Sequence, residues 1–151
     1  MLDKQLYWLQ NRTLIEVTGQ DALKFLQSMI TNDLVNVNTA LVYSALLTPQ
    51  GKYLFDFFII KKTKTVFIID ISSTSKEIFL NRMKFYKLRS DVKIEELNGR
   101  VGFGINQKPS DAFIDPRCKE LGWRQYFIGS VYPSGVMFLD KEKYDLSLIH
   151  I

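Results

Sequence analysis

Residues 43–60 have the sequence YSALLTPQGKYLFDFFII, which predicts the hairpin that organises the fold of this chain. Apolar runs at 44–48 and 53–60 flank the tetrapeptide Pro49-Gln50-Gly51-Lys52. Proline presets the backbone dihedral at the start of a turn, and glycine supplies the positive φ that a tight reversal needs. The second arm is almost entirely aromatic and aliphatic, so we expect it to be a central strand buried on both faces.

Asp56 interrupts this apolar arm between Phe55 and Phe57. Burying an unpaired carboxylate costs free energy, so a carboxylate on such a strand is either hydrogen-bonded in place or faces a ligand. In the first case Asp56 accepts from a backbone donor or pairs with a lysine or arginine of the fold. In the second case it lines a cavity, and the pattern by itself leaves both alternatives open.

The chain before this hairpin predicts another hairpin and a helix. Segments 6–10 and 13–17 alternate apolar and polar residues around Asn11-Arg12, as the arms of a hairpin do. Thr18 is a suitable N-cap, and apolar residues recur at helical spacing over 19–30. We therefore expect a first hairpin followed by a helix whose apolar face packs in the core.

The chain after residue 60 predicts a strand, a helix and a further hairpin. Residues 65–71 form an apolar run, and residues 76–88 follow a serine-rich loop with the periodicity of an amphipathic helix. Residues 92–97 and 100–105 flank Asn98-Gly99, a strong hairpin signal. This order of elements predicts an α+β fold that is ferredoxin-like in character. We expect an antiparallel sheet with two helices packed on it and with the hairpin of residues 43–60 at its centre.

The last third of the chain gives weaker signals. Residues 106–125 contain two prolines among polar residues and predict an irregular segment, with strands expected at 126–131 and 136–139. The whole length of 151 residues fits one domain, or two small halves that share a core.

Charge and hydropathy limit the kinds of partner that the protein can bind and the compartment in which it is expected. The net charge of +4 is mildly basic, and the lysines are dispersed apart from the segment 61–64, Lys-Lys-Thr-Lys, which is typical of a solvated hairpin tip. Nucleic-acid binding is therefore not favoured. No apolar run approaches the roughly 20 residues that span a bilayer, and charges interrupt the region where a signal peptide would be apolar. We predict a cytoplasmic protein without a membrane span.

Cysteine and histidine occur once each, as Cys118 and His150. One cysteine cannot build a disulfide framework or a thiolate metal cluster within a single chain. One histidine at the last-but-one position cannot by itself serve a histidine metal site or a Ser-His-Asp triad. The sequence therefore predicts no metal site.

Four segments occur together in a recognisable order: VTGQDALKFLQSMITNDL (17–34), YSALLTPQGKYLFDFFII (43–60), FYKLRSDVKIEEL (85–97) and DPRCKELGWR (115–124). As a set they resemble the YgfZ family, folate-binding proteins of iron–sulfur cluster biogenesis that are related to the glycine-cleavage aminomethyltransferase (GcvT). The resemblance implies that residues 1–151 are the N-terminal region of such a protein. It also implies that the chain binds tetrahydrofolate or another reduced folate and serves cluster assembly or repair, with assembly proteins or client enzymes as partners.

The resemblance also implies roles for single residues. In the transferase, a tyrosine and the second acid of an Asp-Asp pair line the folate pocket, and that acid helps to activate the folate amine. These positions correspond to Tyr43 and Asp56, which makes Asp56 the catalytic candidate. Phe55 stands at the first acid, and Asp70 stands where the transferase has an asparagine that holds the pteridine. From the residues alone, Tyr43 is equally a core residue, and the favoured interpretation of Asp70 is an acid at the strand end that caps the loop at 72–75.

Arg117 and Arg124 are the remaining candidates for the cofactor site, since guanidinium forks suit the anionic glutamate tail of a folate. The alternative is that they pair with Asp115 or Asp111 and hold the irregular loop. Cys118 is not the characteristic cysteine of the family, which lies in a Lys-Gly-Cys-Tyr-x-Gly-Gln-Glu motif that has no counterpart up to residue 151.

Because that motif is missing, we expect the chain to be truncated before the C-terminal segments of the family, which would leave apolar surface uncovered and favour self-association. Two other functions stay open. One is a tetrahydrofolate-dependent aminomethyltransferase, against which Phe55, Asp70 and the Pro-Gln-Gly-Lys turn count. The other is a tRNA-modification-associated or protein-interaction module, for which mild basicity is the only support; its discriminating test is salt-dependent retention on RNA.

Overall fold

The computed structural model describes residues 6–30, 34, 41–47, 50–105, 107–117, 119–133 and 136–139. Two helices and ten strands lie in these ranges, in the order β1 (Tyr7–Leu9), β2 (Arg12–Thr18), α1 (Ala22–Gln27), β3 (Leu41–Leu47), β4 (Tyr53–Thr63), β5 (Val66–Ser72), α2 (Lys76–Lys87), β6 (Lys93–Leu97), β7 (Gly99–Gly104), β8 (Phe113–Ile114), β9 (Trp123–Ile128) and β10 (Met137–Leu139). No helix within the described residues is long and apolar enough to cross a membrane.

The strands form two five-stranded sheets, and the chain divides into two compact units. The central unit, Thr13–Leu97, contains the sheet β3-β4-β5-β2-β6 and both helices. The terminal unit consists of the described residues up to Arg12 and from Asn98 onward, and it contains the sheet β10-β1-β7-β9-β8. Sheets with a few packed helices make this an α+β fold, which confirms the predicted class.

In the central unit, one face of the sheet packs against the helices. Alternate residues of β4 point to opposite faces, and Phe55, Phe57 and Ile59 all point to the helical side, where they are buried. Phe79 of α2 meets them, with ring centroids 5.8 Å from Phe55 and 5.6 Å from Phe57. Met83 lies one turn further along α2 and is also fully buried, so α2 binds the sheet through one stripe.

In the terminal unit, the short strand β1 lies inside the sheet. It pairs antiparallel with β7 on one side and parallel with β10 on the other. The Trp8 ring of β1 packs edge-on against Phe127, with centroids 5.1 Å apart, and against Tyr132 at 5.7 Å. The Arg100 guanidinium stacks over Tyr132 at 4.5 Å from the ring centroid, which adds a cation–π contact to this aromatic cluster.

The elements predicted around residues 43–60 are confirmed. Strands β3 and β4 are antiparallel neighbours, β4 lies between β3 and β5, and Gly51 has the positive φ of 85° expected at the turn. Helix α2 matches the predicted helix over 76–88 within one residue. Thr48 and Pro49 of the predicted turn lie outside the described residues. The hairpin is not the centre of the sheet, because β3 forms an edge and β2 and β6 extend the sheet beyond β5.

The helix predicted over 19–30 is shorter than expected. Helix α1 begins at Ala22 with Asp21 in the N-cap position, while Thr18 belongs to β2. The glycine between them, Gly19, has a φ of 132°, which no helix adopts. The strand predicted at 126–131 is shifted as well, because β9 begins at Trp123.

Two predicted hairpins are wrong. Strands β1 and β2 follow each other closely but belong to different sheets, and so do β6 and β7. Neither Asn98 nor Gly99 has the positive φ that the favoured two-residue turn requires, and Gly99 is the first residue of β7. The Asn98 carbonyl instead accepts from the Gly129 N–H at 2.7 Å. At both places the chain passes from one sheet to the other, so long-range pairing overrides the local turn signal.

Candidate functional site

The predicted site residues of the central unit lie on the sheet face opposite the helices. Because neighbouring residues of a strand alternate, Asp56 and Phe58 point away from the core that holds Phe55 and Phe57. The strand register sets Phe58 opposite Tyr43 of β3 and opposite Asp70 of β5. Tyr43, Asp56, Phe58 and Asp70 therefore share one face of the sheet, on which Phe58 and Asp70 are buried, and we name it the Asp56 face.

Tyr43 and Asp56 are in direct contact on this face. The Tyr43 hydroxyl donates a hydrogen bond to Oδ2 of Asp56. Asp56 lies opposite Ala45, so Tyr43 is its diagonal neighbour on β3 and reaches it with the length of the phenol ring. Both side chains are half-buried, and the Tyr43 ring packs on Phe58 with centroids 5.2 Å apart. An ionised carboxylate has about four acceptor positions, of which this bond takes one.

Asp70 is the buried acid of the Asp56 face. It is fully buried within β5, two residues before the strand ends. Burying a carboxylate is tolerated only when it is hydrogen-bonded, and every buried side-chain nitrogen and oxygen atom among the described residues has a partner. Asp70 therefore belongs to the hydrogen-bonded interior of the sheet, directly across Phe58 from Tyr43.

Arg117 forms the ion pair that was one of its two predicted alternatives. Its Nε donates to Oδ1 of Asp115 at 3.0 Å, and its terminal NH2 group donates to Oδ2 at 2.6 Å. The Arg117 backbone N–H also donates to Oδ1, at 2.9 Å. Asp115 is almost completely buried, so this fork-to-fork pair holds the loop after β8.

Arg124 is a buried charge in the middle of the terminal sheet. It lies in β9 opposite Phe103 of β7 and Phe113 of β8, and it is only 2% exposed. Its Nε donates to the Tyr126 hydroxyl at 3.3 Å. The neighbouring Gln125 donates to Oδ1 of Asp111 at 2.7 Å.

The candidates thus divide between the two units. Tyr43, Asp56 and Asp70 share one face of the central unit, whereas Arg117 and Arg124 belong to the terminal unit. Cys118 and His150 lie outside the described residues. Among the residues that are described, no three histidine, cysteine, aspartate or glutamate side chains are grouped so that they could hold a metal ion.

Sequence analysis missed Phe58 as a member of the Asp56 face. The available signal was strand alternation, since Phe58 is two residues after Asp56 and must point the same way. The contact of Tyr43 with Asp56 was not predicted either. It depends on the register of β3 against β4, which in turn depends on the length of the turn between them.

Comparison with known proteins adds a family and a fold. Residues 9–104 match the family model described as the GCVT N-terminal domain. An iron–sulfur cluster assembly factor IBA57 homolog, mitochondrial, of Pyricularia oryzae is 37% identical over 131 residues, which cover 77% of this chain and 34% of that protein. The protein of the same name in Mycosarcoma maydis is 28% identical over 139 residues, covering 76% of this chain and 34% of its own length.

The chain spans about a third of the length of these curated relatives. Among solved structures, the glycine cleavage system aminomethyltransferase T from Bartonella henselae superposes with a TM-score of 0.60. The match covers 65% of this chain and 27% of that protein, at 17% sequence identity. At this identity the likeness is one of fold.

Proposed function

The chain belongs to the GCVT N-terminal domain family, and from this premise we propose that it binds a reduced folate and acts in iron–sulfur cluster assembly or repair. The folate contact is assigned to the Asp56 face. The assembly role is drawn from the two relatives, whose names describe cluster assembly factors. The proposed partners are accordingly iron–sulfur assembly proteins or the enzymes that receive clusters.

The observation that carries the folate proposal is the hydrogen bond from Tyr43 to Asp56. The resemblance to a folate-binding family predicts both residues for the site, and their side chains are in direct contact. A carboxylate that served only the fold would be expected in the interior with a cation or a backbone donor. Asp56 is instead half-buried and bonded to a half-buried phenol, which leaves acceptor positions toward the surface.

The residues of the Asp56 face suit the chemistry of a pterin ring. A pterin carries several N–H donors along one edge, and a carboxylate accepts from such donors. The half-buried Tyr43 ring supplies apolar surface beside that carboxylate, and the buried Phe58 ring packs against it from below. A bound reduced folate would supply one-carbon carrier chemistry, and Asp56 would orient its amine by accepting a hydrogen bond, with Tyr43 fixing the carboxylate in turn.

The transferase alternative is less well supported. Strand β4 carries a single acid, since Phe55 stands where the transferase has the first of two and its ring is buried against the helices.

The two arginines are already engaged within the terminal unit. Arg117 has its guanidinium fork occupied by Asp115, and Arg124 is buried. We therefore propose that both arginines hold the terminal unit together, and that neither binds the folate tail.

The compartment remains a prediction. The sequence favours the cytoplasm, whereas both relatives carry the word mitochondrial in their names. Fluorescence microscopy of the full-length protein in its own cells distinguishes the two, and a mitochondrial signal would overturn the cytoplasmic prediction.

Titration calorimetry with tetrahydrofolate tests the folate proposal. We expect saturable binding by the natural chain and a loss of at least about tenfold in affinity for Asp56→Asn, because the carboxylate acceptor is removed. Glu95→Gln is the matched control, since Glu95 is an exposed acid on β6 of the same unit and should bind as the natural chain does. Binding that survives Asp56→Asn unchanged contradicts the proposed site.

The assembly role is tested separately, in cells that lack their own cluster assembly factor of this family. Restored activity of an iron–sulfur enzyme by the natural gene supports the role. Restoration by Asp56→Asn at the same level would separate the assembly role from folate binding.

A further inference from the structure

We propose that the outer surface of helix α2 is a docking site for an acidic, amphipathic segment of another protein. The surface consists of Ile78, Arg82, Lys84, Phe85 and Leu88, followed by Arg89, and we name it the α2 surface. Its exposed helical members point away from Phe79 and Met83, which are buried against the sheet, whereas the half-buried Arg82 borders these two residues. Leu88 and Arg89 follow the last helical residue. It takes no part in the Asp56 face, so this proposal is independent of folate binding.

The α2 surface exposes apolar side chains that the fold does not need there. Ile78 is 54% exposed, Phe85 69% and Leu88 76%. Ile78 and Phe85 are seven residues apart and therefore lie on the same side of the helix, two turns from each other. Single exposed apolar residues are ordinary, but two on one side of a short helix, followed by a third just past its last residue, are typical of an interaction site.

The aromatic part of the patch is held in position. The Phe85 and Tyr86 rings meet edge to face with centroids 5.6 Å apart. Arg82 donates to the Tyr86 hydroxyl at 3.4 Å, one turn earlier on the helix. Aromatic rings and arginine whose positions are already restricted lose little conformational entropy on binding, and these residue types dominate the energetics of protein interfaces.

The charges around the patch define the partner. Arg82, Lys84 and Arg89 lie close in sequence to Phe85 and Leu88, and within the described residues neither Lys84 nor Arg89 forms an ion pair. The one acid of this helix, Glu77, adjoins Ile78 and lies 3.9 Å from Lys76, so the basic charges outnumber the acidic ones around the patch. A partner that covers three apolar side chains inside a basic rim must itself combine apolar and acidic residues.

The same features favour a protein over RNA or a bilayer. Ile78 and Leu88 are aliphatic and offer no stacking surface for bases, so two of the three exposed apolar side chains would contribute nothing to RNA binding. A helix that lies in a membrane needs an apolar face along its length, whereas the continuous apolar stripe of α2 packs against the protein core.

The test uses a fluorescently labelled acidic amphipathic peptide, with leucine on one face and glutamate on the other, and the whole protein. Its control peptide has lysine in place of every glutamate. We expect anisotropy titrations to show binding of the acidic peptide only. Phe85→Ala, Ile78→Ala and Lys84→Glu should each weaken that binding by about tenfold.

The matched control variants are Ile105→Ala and Lys64→Glu, which change an exposed isoleucine and an exposed lysine away from α2. They should bind as the natural chain does. All substituted side chains are exposed, so circular dichroism should show an unchanged fold in each variant. The proposal is overturned if the two peptides bind equally or not at all, or if the control variants weaken binding as much as the α2 variants.

Vesicles of phosphatidylcholine with phosphatidylglycerol, and a polyuridine strand, serve as competitors. If either binds tightly with the same dependence on Phe85 while the acidic peptide does not, the surface is a membrane or RNA site and the proposal is wrong.

Discussion

Strand β4 presents different chemistry to the two faces of one sheet. Toward the helices it presents Phe55, Phe57 and Ile59, which are buried among apolar side chains. Toward the other face it presents Asp56 and Phe58, with Tyr43 beside them. A single strand can thus present an apolar surface to the core and a carboxylate to the other face, because consecutive side chains point in opposite directions, and we propose that the second face serves recognition.

The largest effect should come from the helical face. Phe57→Ala removes a fully buried ring that packs on Phe79, and we expect it to lower the free energy of unfolding by about 3–5 kcal/mol. Urea denaturation followed by circular dichroism measures this loss. Tetrahydrofolate affinity of the fraction that remains folded should not change, and a change would mean that the two faces are not separate in function.

The buried acid should come next. Asp70→Ala deletes a fully buried carboxylate and leaves its hydrogen-bond partner unmatched, so we expect a loss of about 2 kcal/mol. The exposed Glu95→Ala, whose acid pairs with Lys93 at 3.1 Å, should change stability by at most about 0.5 kcal/mol. Equal effects of the two variants would show that Asp70 contributes no more than a surface acid.

A substitution in the turn that joins β3 to β4 should lower the free energy of unfolding by less, and it should disturb both faces of the sheet alike. Gly51 has a φ of 85°, and among the described residues, its two chain neighbours aside, no atom lies within 4 Å of the position that a Cβ would take. Gly51→Ala therefore introduces only backbone strain, and we expect it to cost about 1 kcal/mol in thermal or urea unfolding. Lys52→Ala is the neighbouring control without a positive φ. No loss in Gly51→Ala would mean that the turn relaxes to another conformation.

The smallest effect on stability should belong to the pair on the Asp56 face. Tyr43→Phe removes one half-exposed hydrogen bond, so we expect a loss of about 0.5 kcal/mol. A double-mutant cycle with Asp56→Asn measures the coupling between the two side chains. We expect Tyr43→Phe to weaken the free energy of folate binding by more than it lowers the free energy of unfolding. The reverse result would make the pair a structural contact.

Sequence patterns predicted those elements whose signals are local. The periodicity of α2 and the apolar runs of β4 and β5 depend on neighbouring residues, and each element forms where it was expected. The hairpins at Asn11-Arg12 and Asn98-Gly99 were predicted from flanking strand patterns and the turn residues between them, and both are wrong. Their flanking strands find partners elsewhere in the chain, and no local pattern carries information about a distant partner.

The candidate site was predictable to a similar degree. Asp56 is conspicuous because a charge interrupts an apolar strand, and Tyr43 was chosen through a family pattern. The burial of Arg124 was not predicted, because a single arginine in a polar segment has no periodicity that would indicate its surroundings. The pairing of Arg117 with Asp115 was predicted as an alternative, because only Pro116 separates the two residues in sequence.

The position of β1 inside the terminal sheet has a consequence for the order in which the chain folds. Its partner strands, β7 and β10, follow the whole of the central unit in sequence. β1 therefore leaves the ribosome before either partner strand exists, and it can pair only after the whole central unit has been synthesised. Closing so long a loop also costs chain entropy, so we expect the central unit to fold first and β1 to be among the last of the described strands to pair.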